Sequence, residues 1–102
     1  MDCVEDIRSL EDLRDFVHRT LCARENLLVG EFPMTEDRLV RRDRFCGLQF
    51  ALHGPRSVRL GAIWTEDRNL IYFYDAAGAR YLKVQLTQRI NTSEEAASEP
   101  AA

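Results

Sequence analysis

From Cys46 to Leu86 apolar and polar residues alternate, and turn-forming clusters interrupt the pattern at short intervals. A period of two marks strands with one buried face, and short connections between consecutive strands imply antiparallel pairing. Cys46, Leu48, Phe50 and Leu52 alternate with Gly47, Gln49, Ala51 and His53. Beyond the turn cluster His53-Gly54-Pro55-Arg56-Ser57, Val58, Leu60, Ala62 and Trp64 alternate with Arg59, Gly61, Ile63 and Thr65. Leu70 to Tyr74 and Arg80 to Leu86 complete the series. Neither a βαβ alternation nor an internal repeat is present, so a meander follows.

Turn chemistry assigns the faces. Glu66-Asp67-Arg68-Asn69 and Asp75-Ala76-Ala77-Gly78 are four-residue loops ending in Asn or Gly, residues that tolerate positive φ. Loops of that kind pair Thr65 with Leu70 and Tyr74 with Ala79. One face then carries Leu60, Ala62 and Trp64 beside Ile71 and Phe73, with Leu82, Val84 and Leu86 next to them. The other carries Arg59, Gly61 and Ile63 beside Tyr72 and Tyr74, then Tyr81, Lys83 and Gln85. A one-residue slip would exchange the two sets. The chosen register gathers the most aliphatic set of every strand on one side.

That aliphatic face needs a cover, and the sequence supplies one. Leu10, Leu13, Phe16, Val17, Thr20 and Leu21 recur at helical spacing, with Ser9 as N-cap, Asp12 as its capping partner, and acids in the first turn. An amphipathic helix over Ser9 to Arg24 is expected on the apolar face. Pro33 biases Phe32 to an extended conformation, and Arg38-Leu39-Val40-Arg41 reads as a short, charged edge strand. The fold class is therefore α+β, an N-terminal helix packed on one face of an antiparallel β-meander of three to five strands. Residues 1–8 are expected to be a flexible lead-in, 9–90 a single domain, and 91–102 a disordered tail without a bulky apolar residue.

With about 80 residues left to form a core, stability is in short supply, and self-association would add to it. No apolar run approaches the ~18 residues of a membrane span, and the acidic start is unlike a signal peptide. Three widely spaced cysteines suit a reducing compartment. The expected location is cytoplasmic, with no membrane partner.

Chemistry-bearing patterns are sparse. Glu11, Asp15, His18 and Cys22 share a helix flank, but zinc sites use close Cys or His pairs and none occurs. Cys46 and His53 are the raw material for a nucleophile and base, yet strand alternation points Cys46 to the core and His53 away. No glycine-rich phosphate loop is present. The chain is read as a non-enzyme that needs no cofactor or metal.

The best candidate surface is the sheet face opposite the helix, with Arg59, Ile63, Tyr72, Tyr74, Tyr81 and Lys83. Tyrosine and arginine favour interface cores, and this surface suits a homodimer or another protein partner. Tyr74 is expected near Arg59 as a cation–π neighbour. The alternative is single-stranded nucleic acid, with bases stacked on the rings and phosphates met by six arginines between residues 38 and 59. The net charge of −3 weighs against it.

Overall fold

The computed structural model, which describes residues 2–28 and 30–90, turns the alternation into a sheet with a helix lying across it. The elements are β1 (Asp2–Glu5), α1 (Leu10–Arg24), β2 (Met34–Arg41), β3 (Arg44–His53), β4 (Arg59–Thr65), β5 (Leu70–Tyr74) and β6 (Arg80–Leu86), with a 3-10 turn at Pro55–Ser57. The six strands lie in the order β1-β6-β5-β4-β3-β2. Pairs from β2 to β6 are antiparallel, whereas β1 runs parallel to β6, from Asp2 opposite Lys83 to Glu5 opposite Leu86.

The class is α+β, but the expectation of a three- to five-stranded antiparallel meander is corrected to a six-stranded mixed sheet. Its extra strand, β1, falls within residues 1–8, the segment read as a lead-in. Its four residues, Asp-Cys-Val-Glu, are too few and too polar to show a period of two. Its partner is also more than 75 positions away in sequence, so no turn announces it. The chain leaves β1 at one edge of the sheet and crosses the sheet as α1. It resumes at the opposite edge as β2, the charged edge strand expected around Arg38–Arg41.

The helix starts as its cap dictates. Ser9 is extended (φ −135°), and its hydroxyl accepts the Asp12 amide at 3.0 Å. Leu13, Val17 and Leu21 are fully buried against the sheet. Phe16 meets Phe73 edge-to-face, with ring centroids 6.1 Å apart. The sheet contributes Leu48, Phe50 and Leu52 from β3, Leu60, Ala62 and Trp64 from β4, Ile71 and Phe73 from β5, and Val84 from β6, all at most 1% exposed. Each large side chain buried here contributes about 1.5–3 kcal/mol, so this layer is the source of stability. Arg14 clamps the helix to β2 by a two-pronged ion pair with Glu36, Nε to Oε1 at 2.6 Å and Nη2 to Oε2 at 3.0 Å.

One buried polar residue closes the layer at its end. Asn69 adopts a positive φ of 54° at the β4–β5 turn. Its Oδ1 accepts the indole N–H of Trp64 at 3.0 Å, and its Nδ2 donates to the Gln88 carbonyl at 2.6 Å. A tryptophan is thus fully buried with its donor satisfied, and the chain after β6 is tied to the same turn. Among the described residues no helix is long and apolar enough to cross a membrane. The tail, residues 91–102, lies outside the described residues.

Candidate functional site: the uncovered sheet face

Register fixes which side chains share the face away from α1. Gln49, Ile63, Tyr72 and Lys83 stand in one row across β3, β4, β5 and β6. Ala51, Gly61 and Tyr74 form the next row, followed by the pair His53 and Arg59. Thr65 pairs with Leu70 as the loop chemistry requires. On β4 and β5 burial alternates strictly, with Leu60, Ala62, Trp64, Ile71 and Phe73 buried and Gly61, Ile63, Tyr72 and Tyr74 partly open. Arg59, Ile63, Tyr72, Tyr74 and Lys83 therefore occupy one face.

Tyr81 does not. Its placement on the open face is corrected: its ring lies 6.3 Å from that of Phe73, and the Arg24 guanidinium of α1 sits over it at 4.4 Å. The cause lies in the β5–β6 turn. The Asp75 carboxylate accepts the amides of both Ala77 and Ala79 at 3.0 Å, and the Asp75 amide donates to the Ala79 carbonyl at 2.9 Å. The ladder therefore closes at Asp75–Ala79, one residue tighter than a Tyr74–Ala79 pair, and Tyr74 falls opposite Arg80. A bulge then follows, because Phe73 pairs with Leu82 and Tyr81 is left as the extra residue. The two offsets leave Tyr72 and Tyr74 on the open face and turn Tyr81 toward the helix. Burial there pushes the Tyr81 phenol above its ordinary pKa, opposed by the Arg24 charge.

Arg80 takes the place Tyr81 was expected to fill, its guanidinium 5.2 Å from the centre of the Tyr72 ring. The cation over an open-face tyrosine is thus Arg80 on Tyr72, where the sequence suggested Arg59 on Tyr74. Arg80 could have been found only by recognising that Asp75 caps its own loop. Val4 was equally hidden, and through β1 it joins this face next to Gln85, 61% exposed.

The centre of the face is a trough. Ala51 and Gly61 are paired, and the absence of larger side chains there leaves a cavity of about 420 Å³ bordered by Gln49, Arg59, Ile63 and Tyr74. A Cβ built on Gly61 would approach nothing closer than the Phe50 carbonyl oxygen at 3.6 Å, so the gap is real space rather than a packing requirement for glycine.

The remaining chemical candidates are separated. A second bulge, between Leu39 and Val40, takes Cys46 out of the ladder. The residue expected in the core is half-buried at the sheet's end, its thiol 3.4 Å from the Arg44 carbonyl. His53 is seven strand positions away, roughly 23 Å along β3, with Nε2 3.2 Å from the Thr35 hydroxyl. Cys22 is in the core, where burial raises its thiol pKa, while Asp15 pairs with Arg19 at 2.8 Å. Among the described residues no group of three or more His, Cys, Asp or Glu side chains could hold a metal. The arginines of residues 38–59 divide as well, Arg41, Arg42 and Arg44 at one end of the ten-residue β3 and Arg56 and Arg59 at the other. Comparison of the chain with protein-family models, with curated proteins and with solved structures finds no match.

Proposed function

We propose that this protein is a small interaction module that self-associates through the uncovered sheet face. The observation that carries the reading is a projection and a recess side by side on one surface. Tyr72, with Arg80 over its ring, pairs with Ile63, which together with Tyr74 borders the trough over Ala51 and Gly61. A two-fold axis through such a surface sets the ring of each copy into the trough of the other, the self-complementarity a symmetric dimer needs.

Size determines the strength. Six strands of four to ten residues, spaced about 4.8 Å apart, present roughly 600 Å², below the ~800 Å² per partner of a standard interface. The dimer is therefore weak and concentration-dependent, with dissociation in the micromolar range or above. The nucleic-acid alternative is less well supported, because Tyr81 is withdrawn from stacking and the arginines are split between the ends of β3.

Gly61→Val is the sharpest test. The new side chain has room at Cβ and a strand-favouring shape, so the fold tolerates it while the trough is filled. Sedimentation equilibrium over rising concentration should show self-association in the wild type and at least a tenfold weaker association in the variant. A wild type that stays monomeric throughout, or a Gly61→Val variant that dimerises as well as the wild type, overturns the reading.

A further inference from the structure

A second surface lies along the edge of the sheet rather than on its face. β2 ends the strand order and pairs with β3 alone, so along its outer side every second residue turns its N–H and C=O to solvent. Its eight residues exceed the ~5–6 of an ordinary strand, and none is proline. The bulge between β2 and β3 has its extra residue, Cys46, on β3, so the alternation of β2 itself is unbroken. The opposite edge, β1, offers four residues and no basic side chain.

Charges on an exposed edge ordinarily repel a second strand. On β2 they are sorted by sign along the chain. Glu36 and Asp37 come first, Arg38 and Arg41 follow, and Arg42 continues the run into the turn. A parallel copy in register would set like against like, whereas an antiparallel copy sets acids against arginines. Asp37 and Arg41 are exposed, and neither has a hydrogen-bonding or ion-pairing side-chain partner among the described residues. They stand on one side of the strand with Leu39 between them.

We infer that β2 pairs antiparallel with β2 of a second copy, extending the sheet across a two-fold axis at Leu39. An axis normal to the sheet keeps like faces of the two copies together. Asp37 of each copy then lies opposite Arg41 of the other, Glu36 opposite Arg42, and Arg38 opposite Val40, a residue 52% exposed in the single chain. Centring on Glu36, Asp37 or Arg38 would instead set that residue against itself. Centring on Val40 would set Arg38 against Arg42 and Asp37 against Asp43. Like charges directly opposite are destabilising, so from Glu36 to Val40 only Leu39 is a centre that avoids them. This register also keeps the contact away from the Met34 end of β2, where the neighbouring Pro33 carbonyl accepts the His53 amide at 2.9 Å. Backbone hydrogen bonds supply the attachment, while exposed ion pairs, individually weak, fix its direction and register. The pairing leaves the open face uncovered and does not depend on association through it.

Charge exchange in the full chain tests this, with Gly61→Val as the parent so that any contact through the face is already weakened. From about 20 μM to about 1 mM, the parent's amides of residues 36–42 should shift with concentration, and sedimentation equilibrium should show the matching dimer. Asp37→Arg or Arg41→Asp alone turns both attractive pairs into repulsive ones and should weaken association at least about fivefold. The two substitutions together restore opposite charges and should return association to within about twofold of the parent. Both positions are exposed, so the fold tolerates each change. Amides of β2 that stay fixed across the concentration range overturn the inference. So does a double variant that associates no better than the single ones. Shifts confined to residues 59–63 and 72–74 would mark contact through the face and equally rule out the edge pairing.

Discussion

The two faces of this sheet are built from the same strands and meet opposite fates. On the helix side Leu48, Phe50 and Leu52 of β3 and the large residues of β4 and β5 are at most 1% exposed, while on β4 and β5 the neighbours one position along stay partly open. The difference lies in what covers them, since both faces share one hydrogen-bond ladder. Stability is concentrated under α1, and the uncovered face is free to carry tyrosines and a trough that contribute little to folding. Tyr81 shows how narrow the division is: one bulge moves a side chain from the free face to the covered one.

The largest effects should separate the faces at adjacent positions. Phe73→Ala removes a fully buried ring between Phe16 and Tyr81 and should cost about 3–5 kcal/mol in urea denaturation. Tyr72→Ala, one residue away, should cost at most about 1 kcal/mol in dilute protein, the value of a cross-strand pair. Equal losses would erase the distinction between the faces.

At the edge of the covered face Asn69 should matter next. Asn69→Ala leaves the Trp64 indole N–H without its acceptor and the Gln88 carbonyl without its donor, at a cost of about 1–3 kcal/mol. It also places a Cβ-bearing residue lacking Asn's local hydrogen bonds at φ 54°, adding about 1 kcal/mol. Asn69→Gly keeps the backbone relaxed and should recover only that second part. Full recovery in the glycine variant would show that the turn, and not the tryptophan contact, is what Asn69 serves.

These contrasts also mark what could be read from the residues. The β3 to β6 alternation, the Ser9 cap, the Thr65–Leu70 pairing and the membership of the covered face follow from local periodicity and turn chemistry. The first strand was hidden because its partner is non-local and its sequence is polar. The bulges at Cys46 and Tyr81 were hidden for another reason. Each arises where a tight turn closes at one register and packing demands another, and neither requirement alone reveals the conflict. The candidate surface was legible as far as Arg59, Ile63, Tyr72, Tyr74 and Lys83. Arg80 and Val4 depended on those non-local features.

The smallest effect tests Tyr81 itself. Burial raises its phenol above the ordinary value of 10.0, Arg24 pulls it down, and Asp75 and Glu25 reinforce the rise. The folded protein therefore holds this proton more tightly than the unfolded chain does. The resulting stability is complete below about pH 10 and is lost as pH rises through the folded value. Tyr81→Phe keeps the ring against Phe73 but removes the titration. The Cys22 thiol, also raised by burial, is common to both proteins and cancels in the comparison. Unfolding free energies measured by urea from about pH 8 to about pH 11 should show the wild type losing stability relative to Tyr81→Phe above pH 10. A difference that stays level across that range would return Tyr81 to solvent, on the face where the alternation of its strand first placed it.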